Sequence, residues 1–211
     1  MFGNVVVDGM TGVGKTSLSG LLARKFNLQT FEEIFRDEND LLGKYFKEGK
    51  KWCFPMQVSF LNNRYQQYKE ACKIPNAIMD RSIYSDPIFA ELYYKKGDMK
   101  PEEYFVYKSL FRSLVDSLKP PKLVIYLDVS LDEVIRRIKM RGRNDELNMP
   151  DSYWRDLLET YTLYYDNYKL SPLLKINVND LDFVNNPRNT SKIVEVFKDW
   201  FNSVTASEHS A

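Results

Sequence analysis

Val5-Val6-Val7-Asp8-Gly9-Met10-Thr11-Gly12-Val13-Gly14-Lys15-Thr16 is the stretch on which the reading of this chain turns. A β-branched run ends at a glycine, and the pattern G-x-x-x-x-G-K-[ST] is met at every fixed position from Gly9 to Thr16. A strand is expected at 4–7 and a helix at 16–26, the two elements the pattern requires on either side. In such a loop successive backbone N–H groups and the helix N-terminus converge on one anion, and glycine permits the tight positive-φ turns. Gly9, Met10, Thr11, Gly12, Val13, Gly14, Lys15, Thr16 and Ser17 are therefore expected to hold the phosphates of a nucleoside triphosphate. Lys15 should reach the β- and γ-phosphates, and Thr16 should offer its hydroxyl to Mg²⁺.

Working outward, short apolar strands alternate with longer helical stretches. Strands are expected at 28–31, 77–79, 123–129 and 174–178, and helices at 56–71, 87–94, 101–118, 131–139, 150–168 and 190–203. Pro55, Pro87 and Pro101 each sit where a first helical turn accepts proline, and Ser130 with Glu133 forms a capping box. This alternation predicts an α/β chain: a five-stranded parallel sheet flanked by helices, of the phosphate-loop NTPase type. At 211 residues one domain covering 1–211 is expected, with a basic lid at about 136–150 and a frayed polar tail at about 204–211.

Composition narrows the function classes. The 30 Lys and Arg are balanced by 29 Asp and Glu, so any anion site must be local and a nucleic-acid-binding surface is not expected. Asp8 interrupts the first apolar run, and no stretch is long enough to span a bilayer, so neither a signal peptide nor a membrane anchor is expected and the default location is cytoplasmic. Cys53 and Cys72 have no metal spacing and read as reduced, mostly buried thiols. The one histidine, His209, lies in the terminal tail, so general-base work falls to a carboxylate.

Three further clusters carry chemistry. Arg137, Arg141 and Arg143 follow a helix and precede Asn144-Asp145-Glu146, which reads as a closing basic loop able to neutralise charge on a transferring phosphoryl group. The plainer reading is a solvated helix end whose arginines complement the macrodipole. Asp80-Arg81-Ser82 leaves the third strand at its carboxyl end, where open α/β sheets bind ligands. There Asp80 can orient Mg²⁺ or a water and Arg81 can bridge to donor phosphates; alternatively Asp80 merely caps the next helix and pairs with Arg81. Glu32-Glu33 closes the second strand, either as a catalytic carboxylate or as a polar strand exit.

Taken in order, Gly9–Thr16, Glu33, Gln57 with Arg64, the run Asp80-Arg81-Ser82-Ile83-Tyr84-Ser85-Asp86, and Arg137 with Arg141-Gly142-Arg143-Asn144-Asp145-Glu146 resemble the deoxyribonucleoside kinases. The likeness is to the deoxycytidine, deoxyguanosine and deoxyadenosine kinase group, and within it to the bacterial deoxyadenosine kinase branch. It implies transfer of the γ-phosphate of ATP to the 5′-hydroxyl of a deoxynucleoside, deoxyadenosine first, with Mg²⁺ and in a homodimer built on 56–71 and 101–118. The resemblance makes Glu33 the general base and Asp80 the partner of Mg²⁺ and Arg81. It gives Tyr45 and Glu146 to the sugar 3′-hydroxyl, Gln57, Arg64 and Asp86 to the base, and Phe89 to stacking on it. Ile34 stands where the family usually has proline, and the choice of Glu33 over Glu32 rests on the resemblance.

Two other readings remain. A thymidylate-type nucleoside monophosphate kinase shares the loop and lid, but it needs an arginine where this chain has Glu32-Glu33, which would repel an incoming phosphate dianion. A non-catalytic relative would not need Lys15, Thr16 or the lid arginines, all of which are present.

Overall fold

In the computed structural model, which describes residues 4–31, 37, 39–183 and 186–208, strand β1 spans Val5–Gly9 and is buried throughout. β2 is Gln29–Phe31, β3 Ala77–Asp80, β4 Leu123–Asp128 and β5 Leu173–Asn177. They form one parallel sheet in the order β2-β3-β1-β4-β5. The central strands are apolar on both faces because helices cover both, which is why they read as continuous Val/Ile/Leu runs and not as alternating ones. β5 is an edge and carries Lys175, half exposed and paired with Asp166, the kind of charge that blunts an edge.

Helix α1, Lys15–Phe26, starts directly from the glycine loop, and α2 is Leu41–Glu48. A short 3₁₀ turn leads into α3, Cys53–Ala71. α4 is Asp86–Lys95 and α5 is Pro101–Val115. Beyond β4 come α6, Leu131–Arg141, the single turn α7, Asn144–Leu147, and α8, Asp151–Asp166. α9 is Pro187–Glu208. The aromatic face of α8 lies against β4, with Tyr165 stacked on Tyr126 at 4.2 Å and Leu157 and Tyr161 fully buried, so its aromatics are core.

Register sets the site. Val7 pairs with Asp80 across β1 and β3, so the glycine loop and Asp80-Arg81-Ser82 leave neighbouring strands at the same carboxyl edge.

Several expectations are corrected. α2 was not foreseen; Asp37 starts it by accepting from the amides of Leu41 and Leu42 at 2.7 and 2.8 Å. The basic loop is mostly helix: α6 continues to Arg141, Gly142 ends it in the left-handed conformation at φ 69°, and α7 takes up Asn144–Leu147. α9 continues past Ser203 to Glu208, into the expected frayed tail. Cys53 is buried as expected, but Cys72 is exposed at the end of α3.

Candidate active site

The loop between β1 and α1 is turned by Gly9 at φ 147°, Gly12 at 76° and Gly14 at 102°, values that side chains other than glycine's rarely adopt. Gly14 is also approached closely: a Cβ there would lie 2.7 Å from the Phe183 ring. Lys15 is drawn back over the loop, its Nζ donating to the carbonyls of Gly9 at 3.1 Å and Met10 at 2.8 Å. The loop amides open on a cleft of about 330 Å³ lined by Gly12, Gly14, Lys15, Thr16, Ser17 and Arg141. Arg141, the last residue of α6, thus faces the loop from across the cleft, with Nη1 3.5 Å from Glu146.

Thr16 Oγ1 donates to Asp80 Oδ2, joining α1 to β3. The other oxygen, Asp80 Oδ1, is buried and has no hydrogen-bond partner among the described residues. Asp80 does not cap the following helix; Ser82 does that work, its Oγ accepting from the Tyr84 amide at 3.4 Å. Nor does Arg81 pair with Asp80. Arg81 takes a left-handed backbone, φ 62°, and its Nε lies 3.9 Å from Asp8 Oδ1, with its guanidinium 5.0 Å from the centre of the Phe89 ring.

An orphaned, buried carboxylate oxygen beside a threonine hydroxyl and a phosphate-binding loop is a hard-oxygen donor set that fits Mg²⁺. That ion takes one or two protein ligands and leaves other positions to waters and phosphates. Among the described residues no group of three or more His, Cys, Asp or Glu side chains converges, so a cage wholly of protein ligands is not built there.

A second cleft, about 490 Å³, adjoins the first through Gly12, Gly14 and Ser17 and is walled by Glu133, Arg136, Arg137 and residues 179–183. Arg137 braces this wall. Its Nε donates to Glu133 at 2.6 Å, Nη1 to the Val13 carbonyl at 2.8 Å and Nη2 to the Val178 carbonyl at 2.6 Å, tying α6 to the loop and to the end of β5. Arg136 also grips Glu133 with two bonds of 2.6 Å, and first Arg136, then Arg137, hold that carboxyl down at about 2.

Toward α3 and α4, Arg64 and Asp86 form a buried ion pair, and Gln57 is buried on the same face of α3 as Arg64. The Phe89 ring stands edge-on to Tyr161 at 6.1 Å. The Tyr107 hydroxyl on α5 is buried without a hydrogen-bond partner among the described residues, and burial and the Asp86 charge push it well above its ordinary value. Glu146 receives Arg141 at 3.5 Å and Arg143 at 3.7 Å on Oε1, while Oε2 is buried without a partner among the described residues. Tyr45 donates to Asp98 at 2.8 Å and packs edge-on against Tyr93. Glu32, Glu33 and His209 lie outside the described residues.

Of the sequence-predicted residues, Lys15, Thr16, Arg141, Asp80, Arg81 and Phe89 follow one another along one edge of the sheet through these contacts. Reasoning from sequence missed the wall at 179–183 and the carboxylate of Asp8. The first gave no local signal; the second did, as a charge inside an apolar strand.

A family model described as deoxynucleoside kinase matches residues 5–202. A deoxyadenosine kinase of Lactobacillus acidophilus is 36% identical over 191 residues, covering 86% of this chain and 88% of that protein. A deoxyguanosine kinase of Lactobacillus johnsonii is 35% identical over 189 residues, covering 85% and 84%. Among solved structures, deoxyadenosine kinase from M. mycoides with the products dCMP and a flexible dCDP bound superposes with a TM-score of 0.79 at 31% identity, over 95% of this chain and 99% of that one.

Proposed function

Because the chain belongs to the deoxynucleoside kinase family and is an ATP-dependent deoxynucleoside kinase, we propose that it phosphorylates the 5′-hydroxyl of deoxyadenosine ahead of other deoxynucleosides, in nucleotide salvage. The observation that carries the phosphoryl-transfer part of this reading is the Thr16–Asp80 contact with its orphaned Asp80 Oδ1, set beside Lys15 and facing Arg141 across the cleft.

The triphosphate lies along the loop amides, and its phosphates compete with the Gly9 and Met10 carbonyls for the Lys15 ammonium. Its base and ribose extend into the neighbouring cleft, against Phe183 and the wall that Arg137 braces. Thr16 and Asp80 would hold Mg²⁺, which would supply positive charge to offset that of the phosphates. The deoxynucleoside enters on the α3–α4 side, its base on Phe89 and against Gln57, Arg64 and Asp86, and its 3′-hydroxyl donating to the orphaned Glu146 Oε2, with Tyr45 beside it. Glu33 takes the proton from the 5′-hydroxyl as its oxygen bonds to the γ-phosphorus. The bond from that phosphorus to the β–γ bridging oxygen breaks and ADP leaves. Arg81, between acceptor and loop, and Arg141, from the lid with Arg143, receive the charge that spreads over the equatorial oxygens.

Gln57 offers both a donor and an acceptor, which suits the N1 acceptor and N6 amino group side by side on adenine. The Arg64–Asp86 pair serves N7, with the guanidinium donating and the carboxylate fixing it. We place the enzyme in the cytoplasm; a homodimer is supported by Phe105 and Val106, which are exposed next to one another on α5 as apolar surface for a second subunit to cover. Calorimetric titration with Mg-ATP and, separately, with deoxyadenosine tests the two-subsite reading. Both should bind, and binding of ATP with no binding of any deoxynucleoside would contradict it.

A further inference from the structure

Asp8 is a carboxylate with no exposed surface, set in the middle of the sheet where Val5, Val6 and Val7 precede it. Burying a charge in that position is costly unless it is partnered. Its partners come from three elements. Oδ1 accepts from the Gly9 amide at 2.6 Å, where the phosphate loop begins. Oδ2 accepts from the Tyr165 hydroxyl at 2.7 Å, carried by α8, the helix that follows the lid arginines. The guanidinium of Arg81, one residue past β3, lies 3.9 Å from Oδ1, an ion-pair contact too long for a hydrogen bond.

Arg81 is held from both ends. Its amide donates to the Val7 carbonyl at 3.0 Å, carrying the β1–β3 ladder one residue past Asp80, while its own φ of 62° turns the chain sharply there. A left-handed conformation at a non-glycine residue is strained and persists only where the surroundings over-determine it. That turn folds the side chain back over β1, beside Asp8 on one side and above the Phe89 ring at 5.0 Å on the other. Tyr165 in turn is stacked on Tyr126 at 4.2 Å, and burial followed by the Asp8 charge pushes its hydroxyl well above its ordinary value, so it remains a donor.

The geometry points to Asp8 as a positioning residue, steadied by Tyr165, whose carboxylate holds the Arg81 guanidinium between the phosphate loop and the acceptor site and so sets the rate of phosphoryl transfer. An apolar residue would serve the strand better; the charge is kept because a guanidinium misplaced by about 1 Å at a reacting centre loses much of its effect. The inference rests on the kinase reading for its kinetic consequence, but the Asp8–Arg81 coupling itself does not require substrate.

The test is a double-mutant cycle on the full chain, with Asp8→Asn and Arg81→Lys made singly and together, and kcat and KM measured for ATP and deoxyadenosine. Asp8→Asn is expected to lower kcat about 10–100-fold with KM for ATP changed less than about threefold, and to have little further effect in the Arg81→Lys background. A merely structural role would lower kcat by the same factor in both backgrounds, and that result, or an unchanged kcat, overturns the proposal. Tyr165→Phe, which removes one hydroxyl, gives a milder fall of about 3–10-fold with the same non-additivity and serves if Asp8→Asn does not fold. In the absence of substrate, the Arg81 Nε–H NMR signal, assigned by its loss in Arg81→Lys, should move in Tyr165→Phe; an unmoved signal overturns the proposal even where the parent enzyme's turnover is as expected. A parent without turnover would instead refute the kinase reading.

Discussion

The hydroxyl of Thr16, on the first turn of α1, donates to Asp80 Oδ2 at the end of β3, joining the phosphate loop to the neighbouring strand and leaving Asp80 Oδ1 buried and unpartnered among the described residues. If that oxygen is reserved for Mg²⁺, Asp80→Asn keeps the shape and the bond to Thr16 but replaces a charge by an amide. Turnover should fall about 10–100-fold, and the Mg²⁺ concentration giving half-maximal rate should rise by a similar factor. Titrating Mg²⁺ at fixed ATP reads both quantities, and an unchanged Mg²⁺ requirement would assign Asp80 to structure.

Arg141 borders the phosphate cleft from the end of α6 and touches Glu146 only at 3.5 Å, a loose contact for a residue about a third exposed. Arg141→Ala should slow the single-turnover chemical step by about 10³-fold or more while ATP binding through the loop survives. A single-turnover rate equal to the parent's would make it a solvated helix end.

The strands were legible because short apolar runs alternate with helical periodicity, and the loop because its glycines and Lys15 stand at fixed spacing. α2 was hidden by Gly43 in its interior and by a start that depends on Asp37 side-chain oxygens reaching two amides, which no apolar pattern records. The reach of α6 to Arg141 follows from Gly142, whose left-handed C-cap was available in the sequence but was overshadowed by the density of basic residues. Arg137 was expected on the triphosphate; three of its donors serve Glu133, Val13 and Val178 instead, and two of those partners lie far away in sequence. Asp8 was read only for what it excluded, since its partners Arg81 and Tyr165 meet it through tertiary structure alone.

Glu133 offers a pH test of the bracing role of Arg137. Its carboxyl sits at about 2 in the fold against an ordinary value of 4.5, lowered first by Arg136 and then by Arg137. A carboxyl depressed by folding stabilises fully above the ordinary value, and that contribution is lost as pH falls toward the folded one. Glu133→Gln should therefore melt below the parent at neutral pH, and the gap between the two melting temperatures should narrow as pH drops from 4.5 toward about 2. A gap independent of pH would remove the ion pair from the explanation.

In the proposed function the buried Arg64–Asp86 pair sets the base preference. Thymine presents an O4 acceptor and a methyl group where adenine presents its N6 amino donor, so it meets the polar groups of this site with the wrong pattern, and sites built on hydrogen bonds discriminate strongly against such mismatches. Asp86→Ala combined with Arg64→Met should lose deoxyadenosine activity and gain thymidine activity, read as the ratio of the two kcat/KM values. A ratio unchanged from the parent's would detach the pair from base recognition.

The most direct test of the whole account is the set of kcat/KM values, with Mg-ATP as donor, for deoxyadenosine, deoxyguanosine, deoxycytidine, thymidine and dAMP, each product identified by chromatography. dAMP should form fastest from deoxyadenosine, with slower reaction of deoxyguanosine and deoxycytidine, thymidine nearly inert, and dAMP not used as an acceptor. Thymidine phosphorylated as well as deoxyadenosine would contradict the base site assigned to Gln57, Arg64 and Asp86, and conversion of dAMP to dADP in preference to any nucleoside would contradict the acceptor itself.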